Sequence, residues 1–342
     1  MPEDIINMKN NICLLTRFDI DTEEEEKFAS EIFENCVSSR MQVPANSLVI
    51  GRYSVLPFYN ELEKDLNFIN SKLINNFSQH KFIADIEKWY PIVEDISPKT
   101  WFSRWDLIPE GKYVVKGKTN SRKFKWNTHM FADCKQNLQK VINRLYDDAF
   151  ISEQGICVRE YVPLKTYDIG MNGMPFTNEW RLFFLGNELV SYGYYWSIYE
   201  RENPEDLPKE AIDFAQMAAK RVSEHTNFFV LDIAQKEDGE WILIEINDGQ
   251  MSGLSTIDPS SFYKNLLKVA SDSYKFDLLN EGPKTRVLLT RSCRNCFHCE
   301  TKYYAIQGDS GYDVSCKLAK REIGDSTWAT PNWCPIQSNP EE

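Results

Sequence analysis

Residues 228–248 read FFVLDIAQKEDGEWILIEIND, two apolar, β-branched runs separated by a turn segment, and this stretch decides the fold. Asp-Gly favours a two-residue type I′ turn. Such a turn at Asp238-Gly239 pairs Glu237 with Glu240 and, counting outward, Asp232 with Glu245. The two carboxylates then stand on one face with Cβ atoms about 4.5–5.5 Å apart. Asn247, two residues beyond Glu245, projects to that same face. The flanking positions are apolar on both sides: Leu231 and Ile233 go with Ile242, Ile244 and Ile246, and Val230 and Ala234 with Trp241 and Leu243. Burying two facing carboxylates without a cation is costly. A hard divalent cation bridged to phosphates resolves the conflict, and an all-oxygen Asp/Glu/Asn set suits Mg²⁺. The competing reading is a hairpin whose acids face solvent or pair with basic residues.

The chain has 342 residues, 42% of them apolar, which supports two or three packed domains and excludes a disordered tail or a disulfide-stapled miniprotein. Its formal charge of −12 argues against a protein that coats nucleic acid or an anionic membrane. No apolar run approaches the roughly 20 residues of a membrane helix, and MPEDIINMKNN lacks a cationic leader, so the expectation is a cytoplasmic protein with no membrane partner. Cys13, Cys36, Cys134 and Cys157 are scattered, whereas Cys293, Cys296, Cys299, Cys316 and Cys334 crowd the end. In a reducing compartment that cluster reads as a metal site. Four of the five close a tetrahedral zinc site with one thiol or His298 to spare; an iron–sulfur cluster is second and free thiols third.

Residues 1–96 read as a mixed α/β unit. Asp21-Thr22 caps a helix whose Glu23–Glu26 run is a solvated first turn. SLVIGRY (47–53) is a buried strand, and YNELEKDLNFINSKLINNF (59–77) has helical spacing. Ser97-Pro98 breaks the pattern. KYVVKGKTNSRKFKW (112–126) is a strand ending in a cationic loop, residues 131–150 form a helix, and GICVREYVPL (155–164) is a strand. Lys116, at the end of an apolar run, needs an anion or a carboxylate, and Gly117 allows close approach to a ligand. EWRLFFLGNELVSYGYYW (179–196) is a hairpin around Gly186-Asn187 that sets Arg181 opposite Tyr192. That guanidinium requires a planar anion: a phosphoryl group, an acyl substrate, or a structural pair with Glu179 or a metal-site acid. Residues 207–226 form a helix, and Asp258-Pro259 caps another. Between them NDGQMSGLS (247–255) offers backbone amides to an anion, with Asp248 and Gln250 on the substrate side. His129 and His225 read as ordinary polar residues. A linker begins near Gly282-Pro283.

With this hairpin, this chain order and Lys116 upstream, the sequence resembles the ATP-grasp superfamily. RYSVLPFYNELEKD (52–65), VVKGKTNSRKF, EYVPL, EWRLFF and IEINDGQMSGLS are similar to a divergent clade of bacteria and phages that includes the eukaryotic cell-division-cycle protein assembling a translation initiation factor. The resemblance spans roughly residues 50 to 275. It implies an α/β (α+β) architecture: an N-terminal α/β domain (1–96), a small lobe (97–158) and a large lobe (159–280) clamping nucleotide, and a Cys-rich tail (281–342). Asp232, Glu245 and Asn247 would hold Mg²⁺. Lys116 and Arg181 would be catalytic on phosphate oxygens. Lys116, Lys118, Arg122 and Lys123 would meet the nucleotide, although Thr119-Asn120-Ser121-Arg122 replaces the family's Gly-rich loop. Glu160, Tyr161 and Val162 would read adenine, and Asp168 the ribose. The implied activity is an ATP- and Mg²⁺-dependent ligase that activates a carboxylate of a small molecule, peptide or protein as an acyl phosphate. The alternative is a non-catalytic ATP-binding assembly factor. On this reading Glu245→Gln relieves like-charge repulsion in the unliganded protein. No Lys-x-Asp-Gly motif surrounds Lys116 and no His-Arg-Asp loop occurs, which argues against nucleotidyltransferases and protein kinases.

Overall fold

The computed structural model describes residues 11–17, 23–53, 58–199, 206–273, 299–306, 309–316 and 320–322. The chain divides into two compact units, Met1–Asn280 and Glu281–Glu342.

The first unit opens with β1 (Ile12–Thr16), α1 (Glu23–Ile32), β2 (Asn35–Val37), β3 (Leu48–Arg52), α2 (Tyr59–Phe68), β4 (Lys72–Leu73) and α3 (Phe77–Ala84). The strands form a parallel sheet in the order β2-β1-β3-β4. Strands β1 and β3 are buried along their whole length, as a parallel sheet covered on both faces requires. Residues 59–77 are not one helix. Asn70 takes a left-handed φ of 57°, β4 intervenes, and Asn76 starts α3 with a capping box closed by Gln79. The Asn76 cap is local, whereas the Asn70 side chain reaches Asn46 Oδ1 at 2.8 Å and Asn75 reaches Phe228 O at 2.7 Å, so cap chemistry and tertiary contacts together outcompeted helical continuity. Asp21 and Thr22 lie outside the described residues. Within the Glu23–Glu26 run, expected to be solvated, Glu25 is buried: it accepts from Arg52 Nη2 at 2.6 Å and from Tyr263 Oη at 2.6 Å. Arg52 is fully buried and also donates to Gly249 O and Ser252 O.

A second sheet, β5 (Thr100–Trp101), β6 (Tyr113–Gly117), β7 (Phe131–Ala132) and β8 (Ile156–Glu160), is antiparallel in the order β5-β8-β6-β7. Helix α4 (Lys135–Tyr146) packs Leu138, Val141, Ile142 and Leu145 against its Val115 and Val158. The hairpin β9 (Thr166–Ile169) and β10 (Pro175–Thr177) leads to the third sheet. That sheet comprises β11 (Glu179–Leu185), β12 (Glu188–Tyr194), β13 (Phe228–Gln235) and β14 (Trp241–Asp248), ordered β12-β11-β13-β14. Helix α5 (Lys209–Val222) covers one face through Ala211, Ala215 and Ala218 against Leu182 and Leu231. Helix α6 (Pro259–Ser273) covers the other, where Phe262 and Leu266 meet Phe183 and Val230 together with Leu14 and Ile50 of the first sheet. As expected, Asp258 caps α6, accepting from Ser261 N at 2.7 Å.

Both decisive hairpins depart from their expected registers. The β13–β14 loop has three residues, not two: Lys236 N donates to Glu240 O, and Gly239 takes φ +93°. This shift pairs Ile233 with Leu243, but Ile244 is then a bulged residue, so Asp232 still faces Glu245. The bulge also moves Leu243 into the core cluster of Leu231, Ile233 and Ile246, opposite to the expected face. In β11–β12 the Gly186-Asn187 turn is the expected one, with Leu185 opposite Glu188. A shift beyond Phe184 leaves Val190 unpaired, so Arg181 faces Gly193 and not Tyr192.

The second unit shows β15 (Cys299–Ile306), β16 (Asp309–Cys316) and β17 (Arg321–Glu322) as an antiparallel sheet whose backbone register sets Cys299 opposite Cys316. Cys293, Cys296 and Cys334 lie outside the described residues, so the expected metal-binding tail is described only as this sheet. Among the described residues no helix is long and apolar enough to cross a membrane.

Candidate functional site: Glu245 between an apolar cleft and a polar chamber

Strands β11, β13 and β14 run side by side, and one face brings Arg181, Asp232, Glu245 and Asn247 together. Asp232 is fully buried and accepts the fork of Arg181, Nε to Oδ1 at 2.9 Å and Nη2 to Oδ2 at 2.8 Å. Asn247 Nδ2 reaches Asp232 Oδ2 at 3.3 Å. Glu245 accepts from the buried Lys116, whose strand belongs to the second sheet. The carboxylate conflict is thus relieved by two cations. Bidentate, charge-assisted contacts of this kind are the strong ones in a low-dielectric site. Burial works against ionised Glu245, but Lys116 and Lys123 outweigh it and lower its pKa to about 2. Of the expected partners Arg181 has taken a metal-site acid, Asp232, and not Glu179.

The basic loop divides its cations. Lys118 pairs with Glu87, and Arg122 forks onto Asp148 at 2.6 and 2.7 Å. Lys123 alone of the three turns toward the acids, donating to Tyr195 Oη; burial pulls its pKa down, and Tyr195, Glu179, Glu245 and Asp232 more than restore it. Gly117 serves the loop and not a ligand, since a Cβ there would lie 2.9 Å from Asn120 O and 2.9 Å from Ile151 Cδ1.

Glu160, Tyr161 and Val162 line a cleft with Trp126, Met130 and Trp196, and Lys116, Lys123 and Glu245 belong to the same lining. On the other side of Glu245 a polar chamber is lined by Arg122, Lys123, Arg181, Tyr195 and Asn247. The cleft contains two buried atoms with no hydrogen-bond partner among the described residues, the donor Arg159 Nη2 and the acceptor Glu179 Oε1. Burial, only partly offset by Lys123, pushes Glu179 up to about 7. Leaving such groups unpaired is expensive, so a donor and an acceptor in an apolar slot fit a ligand whose ring carries both functions, as a purine does. Among the described residues no three His, Cys, Asp or Glu side chains gather as a metal site. The hard oxygens of Asp232, Glu245 and Asn247 nonetheless suit Mg²⁺ whose remaining ligands come from phosphate and water.

Other expected residues are elsewhere. Asp168 is exposed on β9 and accepts from Ile169 N at 2.7 Å, outside the cleft lining. Asp248 and Gln250 face away from the acid pair into a buried network: Asp248 Oδ2 to His80 Nδ1 at 2.8 Å, and Gln250 Nε2 to Tyr59 Oη at 2.9 Å. The amides of Gly249, Gln250 and Met251 are already bonded to Phe228 O, Asp248 Oδ1 and Asp248 O. Sequence reading missed Arg159, Tyr195 and His80. Only Arg159 carried a signal, a guanidinium within the otherwise apolar run ICV-R.

Residues 104–266 match a family described as an ATP-grasp domain, the third family of its clade. No curated relative matches the sequence. Three solved structures illustrate what the chain is similar to. A RimK domain ATP-grasp protein from Sphaerobacter thermophilus is 13% identical, over 75% of this chain and 98% of that one, with a TM-score of 0.45. D-alanine–D-alanine ligase from Bacillus anthracis, solved with ATP, is 12% identical over 75% and 94%, with a TM-score of 0.48. An L-amino acid ligase from Bacillus licheniformis is 14% identical over 76% and 74%, with a TM-score of 0.47. The family match runs from before Lys116 into α6 and includes Arg181, Asp232, Glu245 and Asn247, so residues 104–266 of this chain are an ATP-grasp domain.

Proposed function

We propose that this protein is an ATP- and Mg²⁺-dependent ligase that converts a carboxylate to an acyl phosphate and passes the acyl group to an amine or related nucleophile. The observation that carries the reading is the position of Glu245, which lines both an apolar cleft holding an unpaired donor and acceptor and an open polar chamber. The cleft suits the purine, and the chamber suits the acyl substrate. Asp232, Glu245 and Asn247 would hold magnesium, which when bound neutralises charge on the transferring phosphoryl group. Lys116 exchanges Glu245 for a phosphate oxygen, and Arg181 turns one arm of its fork to the substrate end. A carboxylate oxygen attacks the γ-phosphorus as the bond to ADP breaks. The nucleophile then attacks the acyl carbon and inorganic phosphate leaves. Positioning and charge neutralisation are the protein's contribution.

The zinc site of the tail belongs to this proposal as a structural element, with four of Cys293, Cys296, Cys299, Cys316 and Cys334 as ligands.

Calorimetry with Mg·ATP tests the site. Lys116→Met should weaken binding of ATP and ADP by at least about tenfold, because a buried point charge is lost from the phosphates. Unchanged affinity places that lysine outside the nucleotide site. Incubating wild-type protein with Mg·ATP and cell extract, and reading products by mass spectrometry, tests the ligation. Tight binding with no ADP formed over any substrate fraction supports an assembly factor in place of a ligase.

A further inference from the structure

Tyr195 follows β12 at the wall of the polar chamber, and nothing in the proposed chemistry so far uses it. Its backbone is fixed by Tyr195 N donating to Glu179 O at 3.0 Å. Its ring meets the edge of Trp196 at 5.0 Å between centroids, and Trp196 is itself held by Nε1 donating to Thr177 Oγ1 at 3.2 Å. Two cations from separate elements converge on this rigid ring. Lys123, from the basic loop, donates to the phenol oxygen and lies 4.1 Å from the ring centroid. Arg181, from β11, has its guanidinium carbon 4.8 Å from the same centroid. Two further cations of this loop, Lys118 and Arg122, are committed to Glu87 and Asp148. Lys123 is a loop cation that the fold turns toward the acid pair, and Tyr195 is what it is turned onto.

We infer that Tyr195 is a positioning residue that locks Lys123 beside Arg181, so that a loop lacking the usual glycines still delivers one cation to the phosphoryl end of the nucleotide. The inference rests on the reading of this site as a Mg·ATP site. A flexible lysine on a polar loop loses side-chain entropy when it binds phosphate. The phenol oxygen and the ring face remove part of that cost beforehand by holding the ammonium in place. Tyr195 thus acts through Lys123 and not by touching the nucleotide.

The test is a double-mutant cycle on Mg·ATP affinity, measured by calorimetry for wild type, Tyr195→Phe, Lys123→Met and the double variant. Phenylalanine keeps the ring and removes the acceptor, and thermal melts of all four proteins establish that each is folded. Tyr195→Phe should weaken binding about fivefold in the wild-type background, the loss of one charge-assisted hydrogen bond, and leave affinity unchanged where Lys123 is already methionine. Should Tyr195→Phe fail to fold, Tyr195→His, which restores an acceptor on a ring, takes its place and should keep affinity within about twofold of wild type. A fivefold loss that persists in the Lys123→Met background overturns the inference while leaving the Mg·ATP reading intact. Absence of Mg·ATP binding by the wild type overturns both.

Discussion

At the level of single residues, the environment of Glu245 reverses one expectation drawn from the sequence. Facing carboxylates suggest that neutralising one stabilises the unliganded protein, but Lys116 and Arg181 already neutralise them. Glu245→Gln instead leaves the buried Lys116 ammonium without its counter-ion. We expect it to destabilise the unliganded protein by about 3 kcal/mol in urea unfolding, as when one partner of a buried pair is removed. The pH dependence follows from the same contacts. Glu245 has a folded pKa of about 2, below the roughly 4.3 of an unfolded carboxyl, so its stabilisation is complete above about 4.3 and drains away as pH falls toward 2. Glu179 has the opposite sign. Its folded pKa of about 7 means that its contribution is complete below about 4.3 and is lost as pH rises through 7. Glu179→Gln should therefore flatten the decline in urea midpoint between pH 4.5 and 8, and an unchanged slope would place the titration elsewhere. The convergence of Asp232, Glu245, Asn247 and Lys116 was legible in the sequence because charged and polar side chains within apolar strands have few explanations. Tyr195 and His80 were not, since an aromatic run and a histidine on an amphipathic helix look like packing until the opposite wall is known.

Among the elements, register is where sequence arithmetic met its limit. Asp232 does face Glu245, yet through a three-residue loop and a bulge at Ile244 whose shifts cancel. A turn dipeptide specifies the first pair of a hairpin. Bulges are set by what the sheet must pack against, here Arg159, whose Nη1 donates to the carbonyl of Ile244. In the neighbouring hairpin no such cancellation occurs, and Arg181 comes to lie across from Gly193. That glycine has a use the sequence did not disclose. A Cβ there would stand 2.7 Å from Ile257 Cγ1 and 2.9 Å from Ile257 N, so the loop carrying Gly253, whose carbonyl accepts from Arg181, must move. Gly193→Ala should cost about 1–3 kcal/mol, seen as a lower melting temperature, and loosen Arg181. A variant as stable as wild type would show that the loop yields freely. Helix positions were read well where amphipathic spacing ran uninterrupted, as in α5 and α6; the helix expected over 131–150 spans only Lys135–Tyr146, because Phe131–Ala132 pairs with β6 as β7, and the reading failed after Phe68, where Asn70 redirected the chain.

For the whole molecule, the division at Asn280 makes the tail separable in a testable way. A chain ending at Asn280 should fold and bind Mg·ATP as tightly as the full protein. Metal analysis of the full chain should find about one zinc, lost with the tail, whereas zinc retained by the shortened chain would place the metal elsewhere. Within the first unit no comparable cut exists. Arg52 lies 197 residues from its acceptor Gly249 O and 211 residues from Tyr263, and both contacts are buried. During synthesis the amino-terminal strands therefore leave the ribosome long before the groups that satisfy their central guanidinium exist. Consolidation of the parallel sheet must wait until α6 has been translated, so the nascent chain passes through a long interval with its apolar strand edges uncovered. That waiting interval, and not the finished structure, is the stage at which dependence on chaperones and sensitivity to translation speed should be greatest.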